Sequence, residues 1–423
     1  MAETKKGSGL TIAIMFFLFM MISFVTGLQN PFGIIVKQQF EATNLMSQLG
    51  NAANFIAYAF MGLPAGLILS KKGYKFTSLA AVLVGFIGVG VTFLSGVVGN
   101  FWVYLLGAFI SGFSMCMLNT VVNPMLNTLG GGGNKGNQLI QLGGSCNSLA
   151  ATICPVFVGY LIGDVTRETQ IADANPALFI AMGIFALAFV IILFSHIPEP
   201  ELEAAAAKKE TLSTGESVKG ALSYRHFVFG IIAIFIYVGV EVGIPNFANL
   251  YMTSGVGISA AVAGSIVGMY WFLMLCGRLI GGVIGGKVSS RAMISTVSAV
   301  AIVFLLLGIF LGNSTMVKFP AITSQLSFSL EAIPLGVMFF ILCGLCTSVM
   351  WGAIFNLAVE NLGKYTSIAS GIFMVMVCGG GILPLIQGGV ADSFGYLSSY
   401  WVVLVGVAYI LWFGLMGSKV KKA

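Results

Sequence analysis

Glu241 is an acidic residue in the middle of a run that otherwise carries no charge, YVGVEVGIPNFANLY, from Tyr237 to Tyr251. An ionised side chain is costly in an apolar environment, so a carboxyl group in such a run usually has a function. It can take up a proton from one side of a membrane and release it to the other, which is the chemistry of proton-coupled transport. The alternative is a structural glutamate that hydrogen-bonds to neighbouring helices. We predict that Glu241 is a proton-coupling residue.

Uncharged polar residues are frequent in the apolar runs of this chain. The amides among them both donate and accept hydrogen bonds, as sugar hydroxyls do, and aromatic side chains offer flat apolar faces for a sugar ring. Each such residue taken alone is more often a contact between helices than a ligand contact, so the prediction depends on their number. The predicted sugar contacts are Gln29, Asn30, Asn119, Asn123, Gln141, Asn246, Asn249, Trp351 and Asn356.

Three further charged residues, Arg278, Glu360 and Asp392, lie toward the ends of apolar runs. They can contact water there, so we predict that they are structural or gating charges. The seven cysteines all fall inside apolar runs, which favours helix packing over a disulfide framework or a metal site. Neither of the two histidines has the spacing of a metal ligand. The sequence therefore predicts no cofactor, no metal and no enzyme centre.

The composition requires that these residues lie in a membrane. Hydrophobic residues make up 58% of the 423 residues and charged residues 8%, with a mean hydropathy of +0.99; an ordinary soluble domain has about 25% charged residues. A helix needs roughly 20 apolar residues to cross a bilayer. Twelve such runs are present, at residues 10–36, 45–70, 76–98, 101–128, 137–163, 175–196, 227–253, 259–286, 292–312, 333–359, 366–391 and 397–417.

The longest polar stretch, residues 198–226, divides the twelve runs into two sets of six. The two sets carry similar motifs at corresponding positions, each with small residues followed by basic ones. These are PAGLILSKKGYK (Pro64 to Lys75) at the end of the second run and GRLIGGVIGGKVSSR (Gly277 to Arg291) at the end of the eighth. Two parallel six-helix repeats with a binding site between them are a transporter architecture. We predict an N-terminal half at 1–197, a cytoplasmic central loop at 198–226 and a C-terminal half at 227–423.

The basic residues predict the orientation. Of the 20 Lys and Arg residues, 16 lie in the terminal segments or in the loops that follow even-numbered runs. Only Lys37, Arg167 and Lys318 lie in the other loops, and Arg278 lies within a run. Because positively charged loops stay in the cytoplasm, both termini are predicted to be cytoplasmic. The predicted partners are the lipid bilayer, a small solute and a coupling ion, with no nucleic acid, and we expect a monomer.

Several motifs resemble those of a known family, the fucose, galactose and glucose proton symporters of the major facilitator superfamily. They include LNTVVNP (Leu118 to Pro124), NSLAATICP (Asn147 to Pro155), IFNLAVENLG (Ile354 to Gly363) and GGGILPLIQGGVADSFG (Gly379 to Gly395). The resemblance covers nearly the whole chain. It implies the major facilitator fold, a sugar substrate, alternating access and a location in a bacterial inner membrane.

The chain departs from the fucose branch of that family at positions that matter for mechanism. A first-span Asp and a fourth-span Glu of the fucose branch correspond to Asn30 and Asn119, and neither amide can carry a proton. A fifth-span Gln corresponds to Gly144, while Gln141 lies one turn earlier. The resemblance, which is closer to the glucose/galactose branch, therefore leaves Glu241 as the coupling residue.

We therefore expect an all-α membrane protein with twelve transmembrane helices in two pseudo-symmetric six-helix halves. The expected function is secondary active import of a monosaccharide, a hexose or deoxyhexose, coupled to protons by alternating access. The alternatives are a sodium-coupled or uncoupled sugar transporter, a major facilitator transporter of another small solute, or a sensor that kept the fold and lost transport.

Overall fold

The fold is almost entirely helical. The computed structural model describes residues 2–39, 44–162, 170–200, 202, 214–258, 260–312, 315–322 and 328–420. The long helices of the first half are Ala2–Gln39, Asn44–Val98, Phe101–Leu129, Gly133–Ile162 and Asn175–Phe194. Those of the second half are Arg225–Leu250, Ala260–Ile284, Ser290–Phe310, the pair Leu335–Thr347 and Met350–Ala358, the pair Thr366–Val375 and Gly379–Phe394, and Tyr396–Trp412.

Ten stretches of the described residues are long and apolar enough to cross a membrane. One of them, Leu49–Val98, has 50 residues; at 1.5 Å per residue it measures roughly 75 Å, more than twice the thickness of the hydrocarbon core. It consists of two spans that meet at Gly73, where φ is 82° and the helix is interrupted. Helix Gly133–Ile162 supplies a further span of 30 residues. With Asn44–Val98 counted as spans 2 and 3, and each pair as one span, the helices form spans 1 to 12.

The predicted architecture of twelve spans in two sets of six is thus confirmed. A short helix, Thr214–Leu222, precedes span 7. Residues 201 and 203–213 of the predicted central loop lie outside the described residues, and the boundaries at 197 and 226 stay a prediction.

The turn at Gly73 is fixed by contacts with the end of span 6. A positive φ is readily adopted by glycine because it has no Cβ. The carboxylate of Glu199 accepts hydrogen bonds from the backbone N–H groups of Tyr74 and Lys75 at 2.7 and 2.8 Å. It therefore caps the N-terminus of span 3, where the helix dipole favours a negative charge. The ammonium group of Lys75 donates to the carbonyl of Ser195 at 2.8 Å.

Span 7 contains a proline whose effect on the backbone is compensated by another span. Pro245 has no N–H group, so the carbonyl of Glu241, four residues earlier, lacks its usual helical partner. The hydroxyl of Tyr270, in span 8, donates to this carbonyl at 3.3 Å. A proline therefore creates a polar contact between spans 7 and 8 at the position of the predicted proton-coupling residue.

A β-hairpin, which the sequence pattern did not predict, joins spans 9 and 10. Its antiparallel strands are Met316–Ile322 and Phe328–Pro334. Val317 and Phe319 pack against the core and Lys318 is exposed, as expected for alternating residues of a strand. This alternation is too short to stand out beside the long apolar runs.

The two halves touch near one membrane face. Because the number of spans is even, both chain ends lie at the same face, which we call the terminal face. Near it, a Cβ atom added to Gly371 in span 11 would lie 2.6 Å from the oxygen of Gly62 and 2.7 Å from the Cα of Gly66 in span 2. A Cβ on Gly285, directly after the end of span 8, would lie 3.3 Å from the Cα of Gln138 in span 5. Glycine thus allows backbones of opposite halves to meet there.

A second cross-half contact again depends on a proline. Pro124 in span 4 leaves the carbonyl of Thr120 without its helical partner. The hydroxyl of Ser370 in span 11 donates to this carbonyl at 3.2 Å. Spans 4 and 11 are therefore joined by a polar contact on the terminal side of the molecule's centre.

Candidate functional site

A cavity of about 250 Å³ lies between the two halves, midway along the spans. Spans 1, 2, 4 and 5 contribute to its wall from the first half, and spans 7, 8, 10 and 11 from the second. Its wall combines apolar, aromatic and amide side chains with one charge of each sign. The polar and aromatic lining residues are Phe19, Ser23, Thr26, Phe55, Tyr58, Asn119, Gln141, Asn147, Ser148, Glu241, Trp271, Arg278 and Trp351.

Glu241 and Arg278 form an ion pair in the wall of this cavity. Oε1 of Glu241 lies 3.3 Å from Nη2 of Arg278, and it also accepts a hydrogen bond from the hydroxyl of Tyr237 at 2.8 Å. The two charged side chains are 14% and 9% exposed. A charge this far from bulk solvent needs a partner, and here each supplies the other's. The pair leaves the cavity wall with no net charge while Glu241 is ionised.

Three spans of the second half meet around Glu241. Tyr270 of span 8, which donates to the Glu241 carbonyl, also lies with its hydroxyl 3.0 Å from Oγ1 of Thr347 in span 10. Tyr237 is fully buried one helical turn before Glu241, and this fixes its hydroxyl beside the carboxylate. Glu241 thus accepts hydrogen bonds both at its carboxylate, from Tyr237, and at its backbone carbonyl, from Tyr270.

Arg278 connects the two halves. Its Nη1 donates to Oγ of Ser148 at 2.7 Å, to the carbonyl of Gly144 at 3.1 Å and to Oδ1 of Asn147 at 3.3 Å, all in span 5. Its Nε donates to the carbonyl of Ser348, in the break between the two helices of span 10, at 3.2 Å. One edge of the guanidinium group therefore binds the first half, while Nη2 binds the carboxylate of the second half.

Arg278 was predicted as a structural or gating charge toward a helix end, without a partner. The structure places it in the wall of the central cavity, paired with Glu241. A signal for this pairing was present. Charges inside a membrane usually pair with each other, and Arg278 and Glu241 are the basic and the acidic residue farthest inside predicted spans.

A chain of polar groups runs from span 2 through span 4 to span 10. Nδ2 of Asn119 donates to the hydroxyl of Tyr58 at 3.0 Å, and Nδ2 of Asn123 donates to the carbonyl of Asn119 at 2.8 Å. Oδ1 of Asn123 accepts from the indole Nε1 of Trp351 at 3.0 Å. Asn119, Tyr58 and Trp351 line the cavity, while Asn123 is fully buried behind them. Tyr58 was not predicted, because a tyrosine in an apolar run has no distinctive spacing.

Two amides of span 5 line the cavity and anchor it to other spans. Nε2 of Gln141 donates to the carbonyl of Val349, in the break of span 10, at 2.7 Å. Nδ2 of Asn147 donates to the carbonyl of Phe19 in span 1 at 2.9 Å. Both residues line the cavity beside other polar side chains. These two residues can hold a hydroxylated ligand while they keep their helix contacts.

Other predicted sugar contacts do not reach the cavity. Asn246 is exposed, and Oδ1 of Asn249 is buried with no hydrogen-bond partner among the described residues. Asn356 lies near the terminal face, where its Nδ2 donates to Oγ of Ser290 at 2.9 Å. The reason is geometric, since depth along a helix follows from chain position, whereas the direction of a side chain depends on how the helix is rotated. The side chains of two further predicted contacts lie outside the described part of the structure: Gln29 and Asn30.

The remaining predicted charges lie at the ends of their spans. Glu360 is 3.9 Å from Nη2 of Arg291, and both side chains are more than 40% exposed, so this pair stabilises little. Asp392 is exposed near the end of span 11, at the face opposite the terminal face. No cluster of His, Cys, Asp or Glu that could hold a metal ion is found in the described part of the chain.

Comparison with known proteins identifies the relatives of this chain. Residues 14–383 match the sequence profile of the Major Facilitator Superfamily. The chain is 30% identical, over 99% of its length and 96% of the relative, to a glucose/galactose transporter of Brucella abortus. It is 22% identical, over 93% of its length and 90% of the relative, to an L-fucose-proton symporter of Escherichia coli. A crystal structure of the Escherichia coli fucose:proton symporter is similar with a TM-score of 0.81, at 19% identity, over 97% of this chain and 99% of that one.

Proposed function

Because the chain belongs to the Major Facilitator Superfamily, we propose that it is a secondary transporter that imports a monosaccharide, a hexose or deoxyhexose, together with a proton. The observation that carries this proposal is the central cavity, which combines an ion pair with amide and aromatic side chains from both halves. The names of two relatives, a glucose/galactose transporter and an L-fucose-proton symporter, support the substrate class and the coupling ion.

The sugar binds between the halves. Asn119, Gln141 and Asn147 offer amide groups to its hydroxyls, and the hydroxyl of Tyr58 adds another polar contact. Trp351 presents an aromatic face to the ring, as aromatic residues do in many pockets for small hydroxylated molecules. Asn123 acts behind this wall by orienting Trp351 and does not contact the sugar.

Glu241 carries the proton. Its carboxyl group faces the cavity, so it can exchange protons with the compartment to which the cavity is open. When it is ionised, Arg278 and Tyr237 stabilise it, and when it is protonated it becomes a neutral hydrogen-bonding group. A bound sugar and a bound proton are thus in one cavity, where alternating access exposes both to the same side of the membrane.

Transport follows from rocking of the two halves. The glycine contacts of spans 2 and 11, and of spans 5 and 8, close the terminal face in this structure. These contacts must part before the sugar can leave on that side. The terminal face carries the terminal segments and the loops that together contain 16 of the 20 basic residues, so it faces the cytoplasm of a bacterial inner membrane. The protein works in the lipid bilayer as a monomer.

Uptake into proteoliposomes tests this function. Proteoliposomes that contain either the wild type or Glu241→Gln are supplied with external labelled glucose, galactose or fucose. Each is measured with and without an inward proton gradient. Asp392→Asn is the matched control, because it removes an exposed carboxylate far from the cavity. We expect wild type and the control to accumulate one of these sugars with the gradient. Glu241→Gln should exchange labelled sugar in counterflow and accumulate none.

The same measurement separates the competing functions. Accumulation that follows a sodium gradient at constant pH would assign the coupling to sodium. Equilibration without accumulation under either gradient would indicate an uncoupled facilitator. Absence of any counterflow with all three sugars would refute monosaccharide transport by this chain.

A further inference from the structure

The guanidinium group of Arg278 is divided between two partners that move relative to each other during transport. Its Nη1 edge contacts Ser148, Gly144 and Asn147 on span 5 of the first half. Its Nη2 contacts the carboxylate of Glu241 on span 7 of the second half, to which Arg278 itself belongs. Opening of the terminal face separates spans 5 and 8, so it must break the three contacts of the Nη1 edge.

The cost of breaking these contacts depends on what else can accept the freed donors. A buried guanidinium group that loses its acceptors is strongly disfavoured. An ionised carboxylate can accept both terminal nitrogens of an arginine side by side, in the bidentate geometry that suits the two groups. A protonated carboxyl group has no charge to offer and is a much poorer substitute.

On this basis we infer that Arg278 is a positioning residue that makes opening of the terminal face depend on the charge of Glu241. With Glu241 ionised and the site empty, the guanidinium group moves to the carboxylate and the face opens. With Glu241 protonated and the site empty, the guanidinium group stays on span 5 and the face stays closed.

Bound sugar removes this restraint, because its hydroxyls accept hydrogen bonds from the freed donors. Protons therefore do not cross without sugar. This inference rests on the proposed function for its last step only.

The groups that face the Glu241 carboxyl group are few. Tyr237 on the same span donates to it, and Arg278 on span 8 is its ionic partner. The hydroxyl of Tyr270 contacts its backbone carbonyl rather than the carboxyl group. Within the described structure, Arg278 is thus the charged group in direct contact with the Glu241 carboxylate. Because Arg278 also contacts span 5, a change in the charge of Glu241 acts on span 5 through Arg278.

A distance measurement on the empty carrier tests the inference without any sugar. Nitroxide labels are placed at Lys71 and Lys364, exposed positions of the terminal face that belong to opposite halves. We expect the wild type to shift from closed toward open as the pH is raised. Glu241→Gln, which mimics the protonated residue, should stay closed at every pH. Arg278→Lys should show no shift with pH, because a single ammonium group cannot hold both halves as the guanidinium fork does.

Two further variants make the result decisive. Combining Arg278→Lys with Glu241→Gln should release the closed state that Glu241→Gln alone maintains, changing the ratio of open to closed roughly tenfold or more, as expected for loss of charge-assisted hydrogen bonds. Gly144→Ala leaves both charges in place, but its Cβ would lie 3.3 Å from Cδ of Arg278 and push the side chain from span 5. It should weaken the pH dependence in the same direction. Arg291→Lys, whose partners Ser418 and Glu360 belong to its own half, is the control.

Proton leak provides the second readout. A pH dye inside sugar-free liposomes should report a faster leak with Arg278→Lys than with wild type, while Arg291→Lys leaks as wild type does. If Glu241→Gln opens with pH as the wild type does, or if Arg278→Lys keeps the wild-type shift, the inference is wrong. A failure of sugar counterflow in the wild type would instead overturn the proposed function, and the distance measurement would still decide the role of Arg278.

Discussion

The indole N–H of Trp351 donates a hydrogen bond to Oδ1 of Asn123 at 3.0 Å, and this bond joins span 10 of the second half to span 4 of the first. The same indole ring lines the cavity. Trp351 therefore has two separable properties, an aromatic face toward the cavity and a donor toward the opposite half.

Substitution of Trp351 should separate these properties. Trp351→Phe keeps an aromatic face and removes the N–H donor, so we expect less than a threefold change in KM for sugar counterflow. Trp351→Ala removes both, and loss of the ring contact should raise KM roughly tenfold, as expected for about 1 to 1.5 kcal/mol of aromatic contact. Trp102→Ala, at a site 72% exposed on the outside of span 4, is the control. Equal effects of the Phe and Ala variants would show that the ring face does not contact sugar.

The contact between Tyr270 and the Glu241 carbonyl should depend on Pro245. Tyr270→Phe leaves this carbonyl without its donor, and we expect the free energy of unfolding to fall by about 1 kcal/mol. Pro245→Ala restores a helical N–H to the same carbonyl, so Tyr270→Phe should cost less in that background. Thermal unfolding of the four proteins in detergent gives this double-mutant cycle. Purely additive effects would mean that the hydroxyl matters through Thr347 alone.

Side chains added at the glycine contacts should keep the terminal face from closing. Gly371→Leu places a side chain where the backbone of span 2 now lies, so the variant should shift strongly toward the open state. Gly183→Leu in span 6 is the control, because a Cβ there meets nothing within 4 Å. Distances between labels on opposite halves measure the effect. A Gly371→Leu protein that still closes fully would contradict the tight approach of spans 2 and 11.

The cap of span 3 should contribute to stability without affecting transport chemistry. Glu199→Ala removes the acceptor of the N–H groups of Tyr74 and Lys75, and we expect a loss of about 1 kcal/mol in the free energy of unfolding. Glu199→Gln keeps an acceptor and should lose less. Thermal unfolding measures the stability, and counterflow per folded molecule should be unchanged. A fall in counterflow at full stability would assign Glu199 a role in gating.

The helices could be predicted because each span has a long apolar signal that does not depend on tertiary contacts. The loop at Gly73 and the separation of the chain into two sets of six follow from the same signal. The break of span 10 at Ser348 and Val349 could not be predicted, since its carbonyls accept hydrogen bonds from side chains of spans 5 and 8, far away in sequence.

The candidate site was predictable only in part. Glu241 is marked by its charge alone, and Asn119 and Gln141 by their type and depth, and all three line the cavity. Asn356 and Asn246 have the same type but face elsewhere, since the rotation of a helix is decided by its neighbours. The contacts of Arg278 with span 5 arise only when the two halves are packed together.

The glycines where spans 2 and 11 meet have a consequence for the entropy of gating. Closure of most protein interfaces immobilises side-chain torsions and so loses conformational freedom. Gly62, Gly66 and Gly371 have no such torsions to lose, so the contact between their backbones forms without this penalty. Opening of this backbone contact withdraws no side chain of these three glycines. The terminal face can therefore open and close many times in a transport cycle with little reordering of the helices that form it.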